Sequence, residues 1–334
     1  MSCLVTDICS NLPENIIGVA GDFCVDVYWD IHPEEGERSI ETGKMTIPVY
    51  PARYTPGGAG NIIANLRGVG MKKIHCCGAV GNDPFGIWLA QQLSAPGCVG
   101  VTQIPRKDYH TPVYCKPLLN NIEQSRFDLG NTPLADSECD IILGNIRKLL
   151  DSLKVLIVNG QISNGLHGEY FRKHFALLVR EYSNKVRFVF DGREHLDAYP
   201  GAILKINTDA ASQLAFGESG HSAVDSGRKI FRDSGNELVI TDGEKGCYIF
   251  ESTGITYVPA VKYDGVTDTV GAGDSFTAGF SCALACGKSM TDAAIFGTYC
   301  SGITIRKINQ TGVPSPDELM EISKTVLHGE KYNG

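Results

Sequence analysis

The run Asp268-Thr269-Val270-Gly271-Ala272-Gly273-Asp274-Ser275-Phe276 sets small residues beside a carboxylate just where an apolar helical pattern begins. That combination suits phosphoryl transfer. Glycine lets the backbone approach an anion closely, and the free N–H groups of a starting helix, together with its dipole, favour negative charge. Asp274 stands within reach of the same anion. A carboxylate beside phosphate is repulsive unless it has a task, and accepting a proton from an attacking hydroxyl is such a task. The plainer alternative is an Asp that caps the helix starting near Ser275.

Such a loop needs a frame, and the short apolar runs supply one. Ile16-Ile17-Gly18-Val19-Ala20 meets Gly21-Asp22, the run at 155–158 meets Asn159-Gly160, the run at 186–190 meets Asp191-Gly192, and the run at 238–241 meets Asp242-Gly243. Unbroken apolar runs of this length read as strands buried on both faces. Between them the spacing is helical, as in Ile141/Ile142/Ile146/Leu149/Leu150/Leu153 and Tyr170/Phe171/Phe175/Leu178/Val179/Tyr182. Alternation of the two predicts a mostly parallel sheet with helices on both sides. Ligands of such sheets gather at the carboxyl ends of the strands, where the Asn/Asp-Gly endings fall.

Two stretches break this rhythm, 29–54 and 110–132, both polar, with alternation at Ile47/Val49 and a turn signal at Asn120-Asn121. They predict a few extended strands forming a small flap. Two long surface loops are the duller alternative, but connections beyond roughly 15 residues are uncommon unless they act as lids or binding loops. A lid excludes water, as a kinase requires if it is not to waste its nucleotide. The expected division is a core at 1–30, 55–109 and 133–334, with a β-lid inserted at 31–54 and 110–132.

Composition narrows the function. The 334 residues are 43% hydrophobic and carry a net charge of −8 with no dense Lys/Arg run, which argues against nucleic-acid and anionic-membrane partners. The first 15 residues hold Asp7 and Glu14 without a basic leader, and no apolar stretch approaches the roughly 20 residues that span a bilayer. A cytoplasmic protein is expected. Its 12 cysteines form no CxxC pair and no Cys/His quartet, so they read as reduced structural thiols.

The usual nucleotide motifs are missing. Gly287-Lys288-Ser289 resembles the end of a P-loop, but Cys282 stands where its first glycine belongs. No GxGxxG follows the first strand, because Gly18 and Gly21 lead into Asp22 and Phe23, and the protein-kinase set is absent too.

What remains resembles the ribokinase-like (PfkB) carbohydrate kinases over nearly the whole chain. Gly21-Asp22-Phe23-Cys24-Val25-Asp26 looks like the family's first strand and sugar-contacting Asp. Pro56-Gly57-Gly58-Ala59-Gly60-Asn61 looks like its Gly-Gly substrate loop, and Gly78-Ala79-Val80-Gly81-Asn82-Asp83-Pro84-Phe85-Gly86 like the segment that follows. Thr241-Asp242-Gly243-Glu244-Lys245-Gly246 is similar to the nucleotide-side turn, and 268–276 to the C-terminal signature. Asp26-Val27-Tyr28-Trp29, Phe190-Asp191-Gly192-Arg193 and Tyr199-Pro200-Gly201-Ala202 are closest to heptose-phosphate kinases. The resemblance implies a three-layer α/β/α sandwich with a small β-strand lid.

It also implies roles. Asp274 is then the catalytic base, and the amides of Gly271, Ala272 and Gly273 the anion hole. Asp26 accepts hydrogen bonds from paired sugar hydroxyls, Gly57 and Gly58 let the sugar lie against the backbone, and Asn61 offers a donor and an acceptor. Asp22 is a further substrate-side candidate, with structural use as its alternative. Asn207, Thr241, Gly243 and Gly246 fall on the nucleotide side. ATP and Mg²⁺ are the implied cofactors and a sugar or sugar phosphate the acceptor. If the acceptor carries a phosphate, Arg53 and Arg126 are preferred from the flap set Arg38, Lys44, Arg53, Lys116 and Arg126, because Arg binds phosphate in a bidentate way.

Two departures stand out. Many relatives carry Asn-x-x-Glu where this chain has Asn207-Thr208-Asp209-Ala210, so Mg²⁺ must rely on Asn207, Asp209, the phosphates and water. The segment 305–312 lacks the small-residue pattern that helps hold a monovalent cation, which leaves K⁺ as an option without support. Two other readings compete with the sugar kinase: a catalytically weak sugar- or nucleotide-binding protein on the same fold, favoured by Ala210, and a kinase acting on a nucleoside or vitamin. A homodimer through the lid is expected from its exposed strand edges.

Overall fold

Alternate residues of the apolar runs go to opposite sides of the sheet they form: Val155 and Ile157 belong to one buried cluster, Leu156 and Val158 to another. Each side therefore needs its own layer of helices. The computed structural model describes residues 2–130, 132–308, 312–325 and 327–332. In chain order its strands are β1 (Ile16–Gly21), β2 (Phe23–Ile31), β3 (Val49–Gly58), β4 (Lys73–Cys77), β5 (Ala79–Gly81), β6 (Thr102–Ile104), β7 (Val113–Leu119), β8 (Ile122–Glu123), β9 (Phe127–Leu129), β10 (Val155–Gly160), β11 (Arg187–Gly192), β12 (Ile203–Asn207), β13 (Leu238–Thr241), β14 (Cys247–Glu251), β15 (Gly254–Val258) and β16 (Glu330–Lys331).

The main sheet runs β16-β15-β14-β13-β12-β11-β10-β1-β4. From β4 to β13 every pair is parallel, and β14, β15 and β16 close one edge antiparallel. Helices Ser2–Asn11, Ala59–Val69, Ala272–Ala285 and Met290–Thr304 pack on one face, and Asp136–Leu149, Glu169–Tyr182, Thr208–Phe216 and Ala223–Ser234 on the other. This is the expected three-layer arrangement. Among the described residues no helix is long and apolar enough to cross a membrane.

The chain leaves the main sheet at Asp22, so Asp26 lies on β2 of a second sheet and not on the first strand of the core. That sheet pairs β3-β2-β7-β8, with β9 beside β7. The expected core-to-lid boundaries at 30/31 and 54/55 fall inside the β2–β3 ladder, since Asp26 pairs with Thr55 and, past a bulge between Trp29 and Ile31, Ile31 pairs with Val49. The Asn120-Asn121 turn joins β7 to β8 with φ of 53° and 64°, the left-handed values a tight hairpin needs. Residues 32–48 contribute only a 3-10 turn at Pro33–Glu35 and an isolated bridge, Arg38 to Met45. They are mostly not strand, contrary to the expectation for that stretch: its apolar residues Ile40, Met45 and Ile47 stay exposed, so no buried face forms to hold a strand in place.

Register divides the second sheet chemically. One face carries Val25, Val27, Val113 and Cys115 into the core. The other carries Asp26, Tyr28 and Asp30 from β2, Arg53 and Thr55 from β3, and Tyr114 and Lys116 from β7. In a pleated sheet the residues paired across strands share a side, so seven polar or aromatic side chains line one surface.

Candidate active site

Helix Ala272–Ala285 begins at Gly271, whose φ of 78° suits glycine and little else, and this turn sets Asp274 in the first turn of the helix. Helix Ala59–Val69 begins next to it at Gly58, φ 54°. A Cβ on Gly58 would lie 2.5 Å from the Asp22 carbonyl oxygen, so the close approach of this turn to β1 requires glycine. The two helix heads meet: Asn61 Nδ2 donates to Asp274 Oδ2 at 2.6 Å. Burial, and next the Asp191 carboxylate, push Asp274 up to about 6, while the Asn61 hydrogen bond and Lys205 pull the other way. A base near 6 is ionised at neutral pH yet accepts a proton more readily than an ordinary aspartate.

The first-turn amides are not equivalent. Ala272 N–H donates to Thr269 O at 3.2 Å, which removes Ala272 from the expected anion hole. The amides of Gly271, Gly273 and Asp274 have no acceptor among the described residues. The open donors are therefore Gly271, Gly273 and Asp274.

Asp22 is not placed for substrate. It is buried, and its carboxylate accepts from Gln161 N at 2.8 Å, Ile162 N at 2.9 Å and Leu166 N at 2.6 Å. Three amides occupy a group with about four acceptor sites, so Asp22 is a staple for the loop after β10. Asn61 departs from its expected role as well. Its amide nitrogen holds Asp274, and its oxygens face Asn65 Nδ2 at 2.9 Å (main chain) and 3.4 Å (side chain).

Asp26 faces the substrate loop: a Cβ on Gly57 would lie 2.7 Å from Asp26 Oδ2. Its other oxygen, Oδ1, pairs with Lys116 Nζ at 2.8 Å, and that ammonium also donates to Tyr28 OH at 3.4 Å. Burial works against the Lys116 charge, but the Asp26 carboxylate more than offsets it and the proton is held more tightly than in a free lysine. Arg53 lies over the Tyr28 ring at 5.4 Å with Asp30 at 3.6 Å. Arg126 spends its fork on Asp128, at 2.6 and 2.7 Å, and stacks on Tyr114 at 4.5 Å. Of the flap cations it is Lys116, passed over in favour of two arginines, that reaches Asp26. Its position on β7 opposite Tyr28 follows from register, which is not visible along the chain.

On the nucleotide side, Asn207 and Thr241 are register partners at the ends of β12 and β13. Asn207 Oδ1 accepts from Ala210 N at 2.8 Å and caps the helix Thr208–Phe216, with Asp209 exposed in its first turn. Gly243 and Gly246, φ 55° and 107°, make the tight turn into β14, and a Cβ on Gly246 would meet Val258 O at 2.1 Å. With no carboxylate at 210 and the Asn207 oxygen committed to a cap, these residues suit a Mg²⁺ ion that arrives on the nucleotide's phosphates with its own waters. In the segment considered for a monovalent ion, 309–311 lie outside the described residues. Asp268 N donates to Ile305 O at 2.9 Å, and Lys307 Nζ donates to Val313 O at 2.6 Å and pairs with Glu318 at 2.9 Å.

A further charged pair belongs to none of the sequence motifs assigned a role above. Lys205 on β12 and Asp191 on β11 are both buried and meet at 3.1 Å. Thr277 Oγ1 donates to the same Asp191 oxygen at 2.6 Å. The signal was a lone lysine inside the apolar run Ile203-Leu204-Lys205-Ile206, since a charge in a strand buried on both faces demands a partner.

Comparison with known proteins matches this architecture. The family model described as pfkB family carbohydrate kinase matches residues 38–317. The bifunctional protein HldE of Helicobacter hepaticus is 24% identical over 92% of this chain and 63% of its own length. That of Geobacter metallireducens is 26% identical over 90% of this chain and 61% of its own. The chain thus spans less than two thirds of those relatives. Arabidopsis thaliana ribokinase complexed with ribose and ATP superposes with a TM-score of 0.70 at 20% identity, covering 93% of this chain and 99% of its own. Escherichia coli phosphofructokinase-2 in complex with fructose-6-phosphate gives 0.71 at 16% identity, covering 93% and 98%.

Proposed function

Because the chain belongs to the pfkB family of carbohydrate kinases, we propose that it transfers the terminal phosphoryl group of ATP to a hydroxyl of a sugar phosphate. One observation carries the reading: Asn61 holds Asp274 at the head of a helix whose Gly271, Gly273 and Asp274 amides are open, with Asp26 close enough to act on the Asp274 charge. Asp274 takes the proton of the attacking hydroxyl, and the open amides meet the charge on the transferring group. Asp26 and the Gly57 and Gly58 backbone hold the acceptor. The cations Lys116 and Arg53 on the same sheet face, and the resemblance to heptose-phosphate kinases, favour an acceptor that already bears a phosphate.

The triphosphate lies along the ends of β12 and β13, by Asn207, Thr241, Gly243 and Gly246. Bound with it, Mg²⁺ would neutralise phosphate charge, and Asn207 and Asp209 are the residues that would hold it through its waters. Incubation with ATP, Mg²⁺ and a panel of sugars, sugar monophosphates and nucleosides, followed by mass spectrometry, tests the reading. One strong sugar-phosphate product is expected; a nucleoside product would move the acceptor class. Binding of ATP and sugar with no product at all would favour the non-catalytic reading, for which Ala210 is the specific observation.

The lid also supports a homodimer. Ile40, Met45, Ile47, Ile122 and Phe127 are exposed on it, and a second copy could cover these apolar side chains. A second copy of this chain is the proposed occupant, and sedimentation equilibrium of the wild type against Ile47→Asp with Phe127→Asp distinguishes dimer from monomer.

A further inference from the structure

Beneath the first turn of helix Ala272–Ala285 lies the buried pair of Lys205 and Asp191. Its position is specific. A Cβ placed on Gly273 would come 3.2 Å from Lys205 Nζ, so the ammonium lies directly against the turn whose amides are open. A side chain at 273 would press the ammonium back by a few tenths of an ångström. Lys205 has three N–H donors, and among the described residues Asp191 is its one acceptor. Asp191 is itself fastened: Thr277 Oγ1 donates its one proton to Oδ2 at 2.6 Å, the shorter and charged of its two contacts, and lies 3.0 Å from Gly273 O. Thr277 thus ties the helix turn to the carboxylate, and the carboxylate ties down the lysine.

A buried ion pair of this kind is a poor way to stabilise a fold, because desolvating two charges costs about as much as their attraction returns. Its place at the head of the helix suggests another use. We propose that Asp191 is a positioning residue for phosphoryl transfer: together with Thr277 it holds the Lys205 ammonium against Gly273, where the ammonium meets the transferring phosphoryl group alongside the open amides. The inference rests on the kinase reading above.

Electrostatics support it. The charged and titratable groups that act on Asp274 are Asp191 from β11, Lys205 from β12 and Asp26 from β2, with Asn61 as its hydrogen-bond donor. The Cys24 thiol, also on β2, is held protonated by burial, and Lys116 neutralises Asp26 from β7. Asp191 raises the proton affinity of Asp274, and Lys205 lowers it. The two halves of the pair therefore push the base in opposite directions, and removing each one alone leaves opposite signatures.

The test uses the full chain and four proteins: wild type, Asp191→Asn, Lys205→Met, and the double variant, each checked for a cooperative melt. Lys205→Met should lower kcat by roughly 10²–10³-fold with acceptor KM within about threefold. Its acidic limb of kcat/KM should move to higher pH, because Asp191 is left unneutralised. Asp191→Asn should lower kcat too, with that limb moved to lower pH. The double variant removes both charges, so it should fold as well as wild type, return the limb close to its original pH and stay as slow as Lys205→Met. Recovery of kcat in the double variant would mean that the pair is only structural and would overturn the proposal, as would an unmoved limb in both single variants. Should Lys205→Met fail to fold, the double variant alone decides by its kcat. A folded wild type that phosphorylates nothing overturns the kinase reading itself, and this inference with it.

Discussion

Asn61 Nδ2 donates to Asp274 Oδ2 at 2.6 Å across 213 positions of sequence, so the head of one helix aims the carboxylate at the head of another. Each helix starts at a positive-φ glycine, Gly58 or Gly271; Gly58 lies against Asp22, just past the end of β1, and Gly273 against Lys205 on β12. The base is thus fixed by two backbone turns and one side-chain amide.

Replacing the base should separate catalysis from binding. Asp274→Asn is expected to lower kcat by about 10²–10⁴-fold with nucleotide affinity retained, as isothermal titration would show. Stability should move the other way. The folded carboxylate has its pKa raised to about 6 from 3.8, so its charge costs stability fully above pH 6 and not at all below roughly pH 4. Asp274→Asn should therefore melt a few degrees higher than wild type at about pH 8, and the advantage should vanish at about pH 4. A lower melting temperature at both pH values would contradict the burial of this charge.

The wild-type rate should fall on the acid side with a midpoint near 6 in kcat/KM, the pH at which Asp274 takes up its proton. Asn61→Leu removes the hydrogen bond that favours the charged form. The limb should then move to higher pH, and kcat should fall because the carboxylate is no longer aimed. An Asn61 that bound only substrate would raise acceptor KM and leave the limb in place.

Acceptor recognition should depend on the pair of Asp26 and Lys116. Asp26→Asn is expected to raise acceptor KM by about tenfold or more, as the loss of a charged hydrogen-bond partner implies. Lys116→Met should raise KM more for a sugar phosphate than for the same sugar without its phosphate. Equal effects on both acceptors would remove the phosphate from this end of the site.

Asp22 should behave as a structural residue. Asp22→Ala strands three amides, half-buried at Gln161 and Ile162 and buried at Leu166, and should destabilise by on the order of 3–5 kcal/mol in urea unfolding. A folded Asp22→Ala of normal stability with a raised acceptor KM would return it to the substrate side.

Metal handling should respond at position 210. Ala210→Glu adds a carboxylate to the first turn of helix Thr208–Phe216, three positions past the end of β12. The Mg²⁺ concentration at half-maximal rate should fall while acceptor KM stays constant, and an unchanged Mg²⁺ dependence would place the ion elsewhere.

Much of this could be read along the chain, because it depends on short-range pattern. Apolar runs ending in Asn/Asp-Gly marked β10, β11 and β13, and one ending in Gly-Asp marked β1, since a strand buried on both faces is largely apolar. The Gly-Ala-Gly-Asp run likewise marked a helix head, because glycine beside a carboxylate at a helix start is a local arrangement. Tertiary structure alone decided the partners. That Asp22 spends its oxygens on three amides, that Asn61 serves Asp274, that Lys116 and not Arg126 reaches Asp26, and that Lys205 lies against Gly273 all depend on register and crossing between residues 68 to 213 positions apart. Side-chain type states what a residue can bond to, but only the packed sheet and its flanking helices set which of those bonds is within reach.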